Sequence, residues 1–132
     1  MEIEIRAALE KFRSGDEEAA FFELIEVAGN VLPALTEQFR VEPDIAARTF
    51  LVRVAWERRD QAALPLLAEA LGQPQEEIWQ EALDGLVAFA SPESLEILRH
   101  ARQRDEKDET AVRRFHLWLE EAIQQVEFEL RR

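Results

Sequence analysis

Apolar residues recur three and four positions apart along most of the chain, and short polar breaks separate the runs. Ile5, Ala8, Leu9 and Phe12 form the first stripe, the spacing that puts side chains on one face of an α-helix. Ser14-Gly15 closes it. Asp16 is a good N-cap for a second helix, with Glu17 and Glu18 in a first turn where the helix dipole favours acid. That helix carries Ala20, Phe21, Leu24, Ile25, Val27 and Ala28 and is predicted to end at Gly29-Asn30. A third runs from Val31 to about Arg40, with Pro33 tolerated in the first turn. Pro43-Asp44 opens a fourth, with Ala47, Phe50, Leu51, Val54 and Ala55 inside.

Asp60 caps a fifth segment, QAALPLLAEAL, in which Pro65 sits deep for a first-turn proline; Gly72 stops it. Gln73-Pro74 starts the sixth, EEIWQEALDGLVAFA. Ser91-Pro92-Glu93 is a strong start signal for the seventh, SLEILRHARQR: an oxygen cap, a proline at the first helical position, then an acid. The polar run from Arg104 to Glu109 reads as the last loop. A long helix follows from about Thr110, carrying Val112, Phe115, Leu117, Trp118, Leu119, Ala122, Ile123, Val126 and Leu130. The pattern predicts an all-α chain of about eight helices in four antiparallel pairs, because loops of a few residues force neighbouring helices to run antiparallel.

The pairs repeat. VLPALTEQF begins at Val31 and ALPLLAEAL at Ala63, so that Leu32 matches Leu64, Pro33 matches Pro65, Leu35 matches Leu67, Glu37 matches Glu69 and Phe39 matches Leu71. Pro43 matches Pro74 one residue out of phase, and Leu51 and Val54 match Leu83 and Leu86. SLEIL at Ser94 echoes the unit again. Self-similarity at a fixed period of some tens of residues is the mark of a stacked repeat. Matched leucines arise by chance in amphipathic helices; matched prolines are harder to obtain that way.

These phrases resemble HEAT repeats, especially the short HEAT-like units of bacterial proteins. The resemblance is good over 31–102 and loose over 1–30 and 103–132, which would be the capping units of a single domain spanning 1–132. It implies an α-α superhelix in which A helices form the convex layer and B helices line the concave one. Many HEAT units also carry an aspartate in one turn and an arginine on helix B that form a ladder. Asp44 and Arg48 would supply that pair in the second unit. The third has Gln75 after its proline and Trp79 near the arginine position, so the ladder reads as broken.

Composition narrows the function classes. The 132 residues are 47% apolar, enough for a real core, and include no cysteine, which excludes disulfides, thiol catalysis and cysteine-ligated metal. The N-terminal stretch has no basic region followed by an apolar one, and no apolar run approaches a membrane span, so the expected setting is soluble and cytoplasmic. A net charge of −12 opposes binding to nucleic acid or to anionic membranes. It suits a basic protein partner.

Motifs for chemistry are sparse. His100 and His116 stand alone on different helices without metal-ligand spacing. Ser14, Ser91 and Ser94 fall at helix boundaries, where capping explains them, and the paired glutamates suit helix starts. No nucleophile elbow, phosphate loop or dinucleotide turn is present. No catalytic residue, metal or cofactor is therefore expected.

The remaining signal is charge placement. Residues 63–94 hold 6 acids and no lysine or arginine. On the sixth helix Glu77, Gln80, Glu81 and Asp84 share one face. With Trp79 beside them and Arg48 and Arg53 on the preceding B helix, they form the expected partner-binding surface. Trp56, Trp79 and Trp118 each sit on the second helix of a pair, and the sequence leaves open whether each is core or exposed. The expectation is a non-enzymatic module binding a protein partner through its concave face. An immunity-type protein masking a basic effector such as a nuclease is the alternative, and a HEAT-like enzyme a more distant one. The C-terminal AIQQVEFELRR also leaves a homodimer open, since an uncapped repeat end can pair with itself.

Overall fold

The computed structural model describes residues 1–104 and 109–132, so the greater part of the polar run at Arg104 to Glu109 lies outside the described residues. Among the described residues eight α-helices follow one another: α1 (Glu2–Arg13), α2 (Glu17–Glu26), α3 (Leu32–Val41), α4 (Ile45–Glu57), α5 (Leu64–Leu71), α6 (Glu76–Phe89), α7 (Pro92–His100) and α8 (Glu109–Leu130). No strand occurs among the described residues.

Local chemistry sets most of the starts. The Asp16 carboxylate accepts the Ala19 N–H at 3.2 Å, and that of Asp44 accepts the Ala47 N–H at 3.0 Å. Ser91 and Ser94 cap reciprocally: each side-chain oxygen accepts the other's backbone N–H, at 3.1 and 2.9 Å. The deep Pro65 is also resolved. Asp60 caps a separate 3-10 turn, Gln61–Ala63, and α5 begins only at Leu64. Pro65 therefore lies in the first turn of α5, as Pro33 does in α3.

One boundary differs from its prediction. α2 stops at Glu26, three residues before Gly29-Asn30. Arg58, at the C-cap of α4, donates to the carbonyls of Leu24 and Ile25 at 2.7 and 2.9 Å. A guanidinium satisfies the last carbonyls, and the backbone leaves the helix at an extended Val27.

The second helices of the pairs, α2, α4, α6 and α8, form one layer, in which α6 packs closely between α4 and α8 while α2 touches α4 lightly. The first helices touch one another less than α6 touches α4 and α8. The core runs between the layers through Leu9, Leu24, Leu35, Phe39, Leu51, Leu67, Ile78, Leu86, Leu98, Phe115 and Leu119, all fully buried. α4 buries Ala47, Phe50, Leu51, Val52, Val54 and Ala55, because neighbours cover it on several sides.

The Asp44–Arg48 pair that the family resemblance would allow does not form. Asp44 is occupied as a cap, and Arg48 donates to the Phe39 carbonyl at 3.0 Å and to the Gln73 side-chain oxygen at 3.2 Å. A different ladder runs along that edge. Arg13 reaches Glu42 of the next pair at 2.5 Å, where the carboxylate is 1% exposed. Arg104 reaches back to the carbonyls of Leu71 and Gln73 at 2.8 and 2.7 Å. Arginine still links successive units, with backbone carbonyls, Gln73 and Glu42 as acceptors.

Candidate functional site

Four of the seven residues expected at the partner-binding surface face the same side of the B layer. Glu77 and Asp84 are exposed on α6, Glu81 is half-buried between them, and Arg53 stands across on α4. The Glu81 carboxylate accepts the Trp56 indole N–H at 2.8 Å and lies within electrostatic range of Arg53, Glu57 and Asp84. Arg53 stacks over the Phe21 ring, 4.8 Å from its centroid, and is 3.7 Å from Glu17 of α2. A continuous strip thus crosses from α2 to α6: Glu17 and Phe21, then Arg53 and Trp56, then Glu81 and Asp84.

The other three residues lie elsewhere. At about 100° per residue Trp79 falls about 200° round the helix from Glu77, in the middle of the apolar stripe. It is 4% exposed, T-shaped to Phe115 at 5.2 Å, and is a core residue out of reach of a partner. Gln80 turns aside to donate to Glu76 at 2.7 Å. Arg48 belongs to the inter-unit edge described above.

The surplus of acid in 63–94 is smaller in space than along the chain. Arg40 of α3 makes a bidentate contact with Glu69, and Arg114 of α8 pairs with Glu76. The carboxylates of Glu77 and Asp84 have no ion-pair partner among the described residues, nor do Glu57 on α4 and Glu121 on α8. Sequence reasoning did not assign α8 to this surface. Trp118 is 41% exposed, T-shaped to Trp79 at 6.3 Å, and borders a 270 Å3 notch with Leu83, Asp84, Val87, Glu121 and Gln125. The signal lay in the repeat itself: α8 is the fourth B helix, so its outward stripe continues the surface of α6.

Burial raises the Glu81 carboxyl above the usual carboxylate range, and the nearby Asp84 and Glu57 charges push the same way; the Trp56 N–H and Arg53 oppose them. Partial burial likewise raises Asp84. A folded-state pKa above the unfolded one means the folded state holds its proton more readily. The contribution of Glu81 to stability is therefore full at acid pH and falls as pH rises through the folded value. Glu81→Gln keeps an oxygen for the Trp56 N–H and removes the charge. The variant should melt above wild type at pH 7, and the gap should close as pH falls toward about 4.5, near the ordinary glutamate value. Melting curves at both pH values check this; a lower melting temperature for the variant at pH 7 contradicts it.

A larger groove, of 880 Å3, lies on the opposite layer between α5 and α7, lined by Leu64, Ala68, Ile97 and Phe115. Its titratable lining is Glu93, Glu96, His100 and Arg104, with no hydroxyl or thiol nucleophile. Among the described residues no group of three or more His, Cys, Asp or Glu is placed to hold a metal ion. None of their helices is long and apolar enough to cross a membrane.

Antiparallel helix pairs, stacked so that each buries its apolar face on the next and tied by arginines that span units, define an α-solenoid. The chain belongs to the HEAT-repeat family, whose model matches residues 32–114. Repeats of this family generally serve as protein-interaction modules. No curated protein and no solved structure matches the chain.

Proposed function

We propose that the chain is a non-enzymatic interaction module that takes a basic segment of a partner protein on the exposed face of its B layer. The observation that carries this reading is the convergence of Glu57, Glu77, Glu81, Asp84 and Glu121 on one face beside Trp56 and Trp118. Elsewhere most arginines already have a carboxylate or carbonyl partner. Three helices supply these acids, so helix capping does not account for the group. Within the B layer α6 packs against both α4 and α8, so its acids and theirs are held at fixed relative positions. Fixed charges of one sign on one face raise the encounter rate with an oppositely charged partner and penalise an acidic one. Half-buried indoles beside such charges are the side chains that most often anchor an interface.

The test is affinity capture with two variants of equal net charge. Glu77→Lys/Asp84→Lys/Glu121→Lys reverses the face, and Glu10→Lys/Glu18→Lys/Glu26→Lys reverses exposed acids of α1 and α2. A partner held by wild type and by the second variant, and lost by the first, is the expected result. The same partner retained by both would remove the reading. Circular dichroism should show both variants as helical as wild type.

A further inference from the structure

Four times among the described residues a guanidinium stacks on an aromatic ring. Arg48 lies over Phe39, Arg53 over Phe21, Arg59 over Trp56 and Arg104 over Phe115, with centroid distances of 4.3, 4.8, 5.3 and 4.4 Å. Each of these arginines also has an oxygen to bond or pair with: the Phe39 carbonyl, Glu17, the Ala88 carbonyl and the carbonyls of Leu71 and Gln73. The notch between α6 and α8 has the same parts without the arginine. Trp118 supplies the ring, and Asp84 and Glu121 supply the oxygens from the two facing helices. Leu83, Val87 and Ala122 make an apolar floor along which a side-chain stem can lie. The nearby basic side chains are committed elsewhere: Arg53 to Glu17, Arg59 to the Ala88 carbonyl and Arg114 to Glu76.

We infer that this notch is a receptor for one arginine side chain of the partner, with the guanidinium against the Trp118 indole and between the carboxylates of Asp84 and Glu121, and the stem on Leu83, Val87 and Ala122. The inference rests on the proposed B-layer face and names what that face grips. Arginine fits better than lysine for a physical reason. Its planar guanidinium stacks on a ring and still offers hydrogen bonds in its own plane to two acceptors, whereas an ammonium is a compact and strongly hydrated point charge. The notch's 270 Å3 suits one side chain and not a helix or a nucleotide. Its site is built by α6 and α8 together, so it exists only where these two B helices are stacked.

The experiment is a titration of the 15N-labelled chain with N-acetyl-arginine amide and, separately, N-acetyl-lysine amide, following the three indole N–H signals. The expected result is a saturable shift centred on Trp118, with the arginine compound binding about fivefold or more tighter than the lysine compound. Asp84→Asn/Glu121→Gln should weaken arginine binding about tenfold or more, since two charge-assisted hydrogen bonds are lost. A charge-matched control, Glu18→Gln/Glu26→Gln, should leave it within about twofold, because neither residue lines the notch and exposed charges at a distance are screened. Equal weakening by both pairs, a shift that never saturates, or equal affinity for the two compounds would each overturn the inference. The wider face stands or falls separately. Loss of partner capture on charge reversal, with no arginine binding in the notch, would leave the face and remove only this receptor.

Discussion

Trp79→Ala should destabilise the chain by about 3–5 kcal/mol, the cost of removing a large aromatic from a packed core. The indole is 4% exposed and T-shaped to Phe115, itself 1% exposed, so the truncation opens a cavity at the junction of α6 and α8. Phe115 also carries the Arg104 guanidinium at 4.4 Å, which resists its collapse into that space. Trp118→Ala is the informative contrast. That ring is 41% exposed and makes one T-shaped contact with Trp79, so its loss should cost about 1 kcal/mol. Urea denaturation with an unchanged slope measures both. Comparable losses at the two positions would mean that the division into a core and a surface tryptophan is wrong.

The division between Trp79 and Trp118 shows how much of this protein is legible before its structure. Helix starts were readable because their causes are local: Asp16, Asp44 and Ser91 bond to backbone groups three residues on. The sequence alone leaves the place of Trp79 open, although a period of about 100° per residue puts it opposite the acidic stripe. Adjacency in the chain to Glu77 and Gln80 makes Trp79 a candidate for that face, but on a helix adjacency is a poor guide to shared direction. The end of α2 was not readable, because Arg58 determines it from 33 and 34 residues away.

That separation is a general property of the molecule. Arg13 with Glu42, Arg40 with Glu69 and Arg59 with Ala88 are each 29 residues apart, and Arg104 with Gln73 is 31 apart. The polar bonds that tie the stack therefore join groups about one repeat apart. A count of charge along one unit omits its counter-ions, which belong to the units on either side. Residues 63–94 look wholly acidic for this reason, and in space Arg40 and Arg114 answer two of their carboxylates. What survives as a candidate site is the set of acids that no neighbouring unit answers, and only the stacked structure distinguishes these from the rest.

Gly85→Ala should destabilise by about 1–3 kcal/mol, the cost of overpacking a well-filled core. The sign runs against helix propensity, which favours alanine over glycine in a helix interior by about 1 kcal/mol. Read locally, Asp84-Gly85 is even a turn signal. The packing explains the glycine: a Cβ at position 85 would lie 2.8 Å from Cγ of Trp56 and 2.9 Å from its Cβ and Cδ1. Trp56 cannot swing clear without losing the 2.8 Å bond from its N–H to Glu81 and its stacking under Arg59 at 5.3 Å. The alternative is for α4 and α6 to separate, and theirs is among the most extensive helix contacts in the stack. The test is a double-mutant cycle with Trp56→Ala, which removes the obstructing ring. In that background Gly85→Ala should become neutral or stabilising, because only helix propensity remains. A stabilising Gly85→Ala in the wild-type background would show that the close approach does not govern this pair. If it does govern, then Gly85, far from any ligand-contacting role, sets the spacing at which Glu81 meets Trp56 and so holds the acidic face in register.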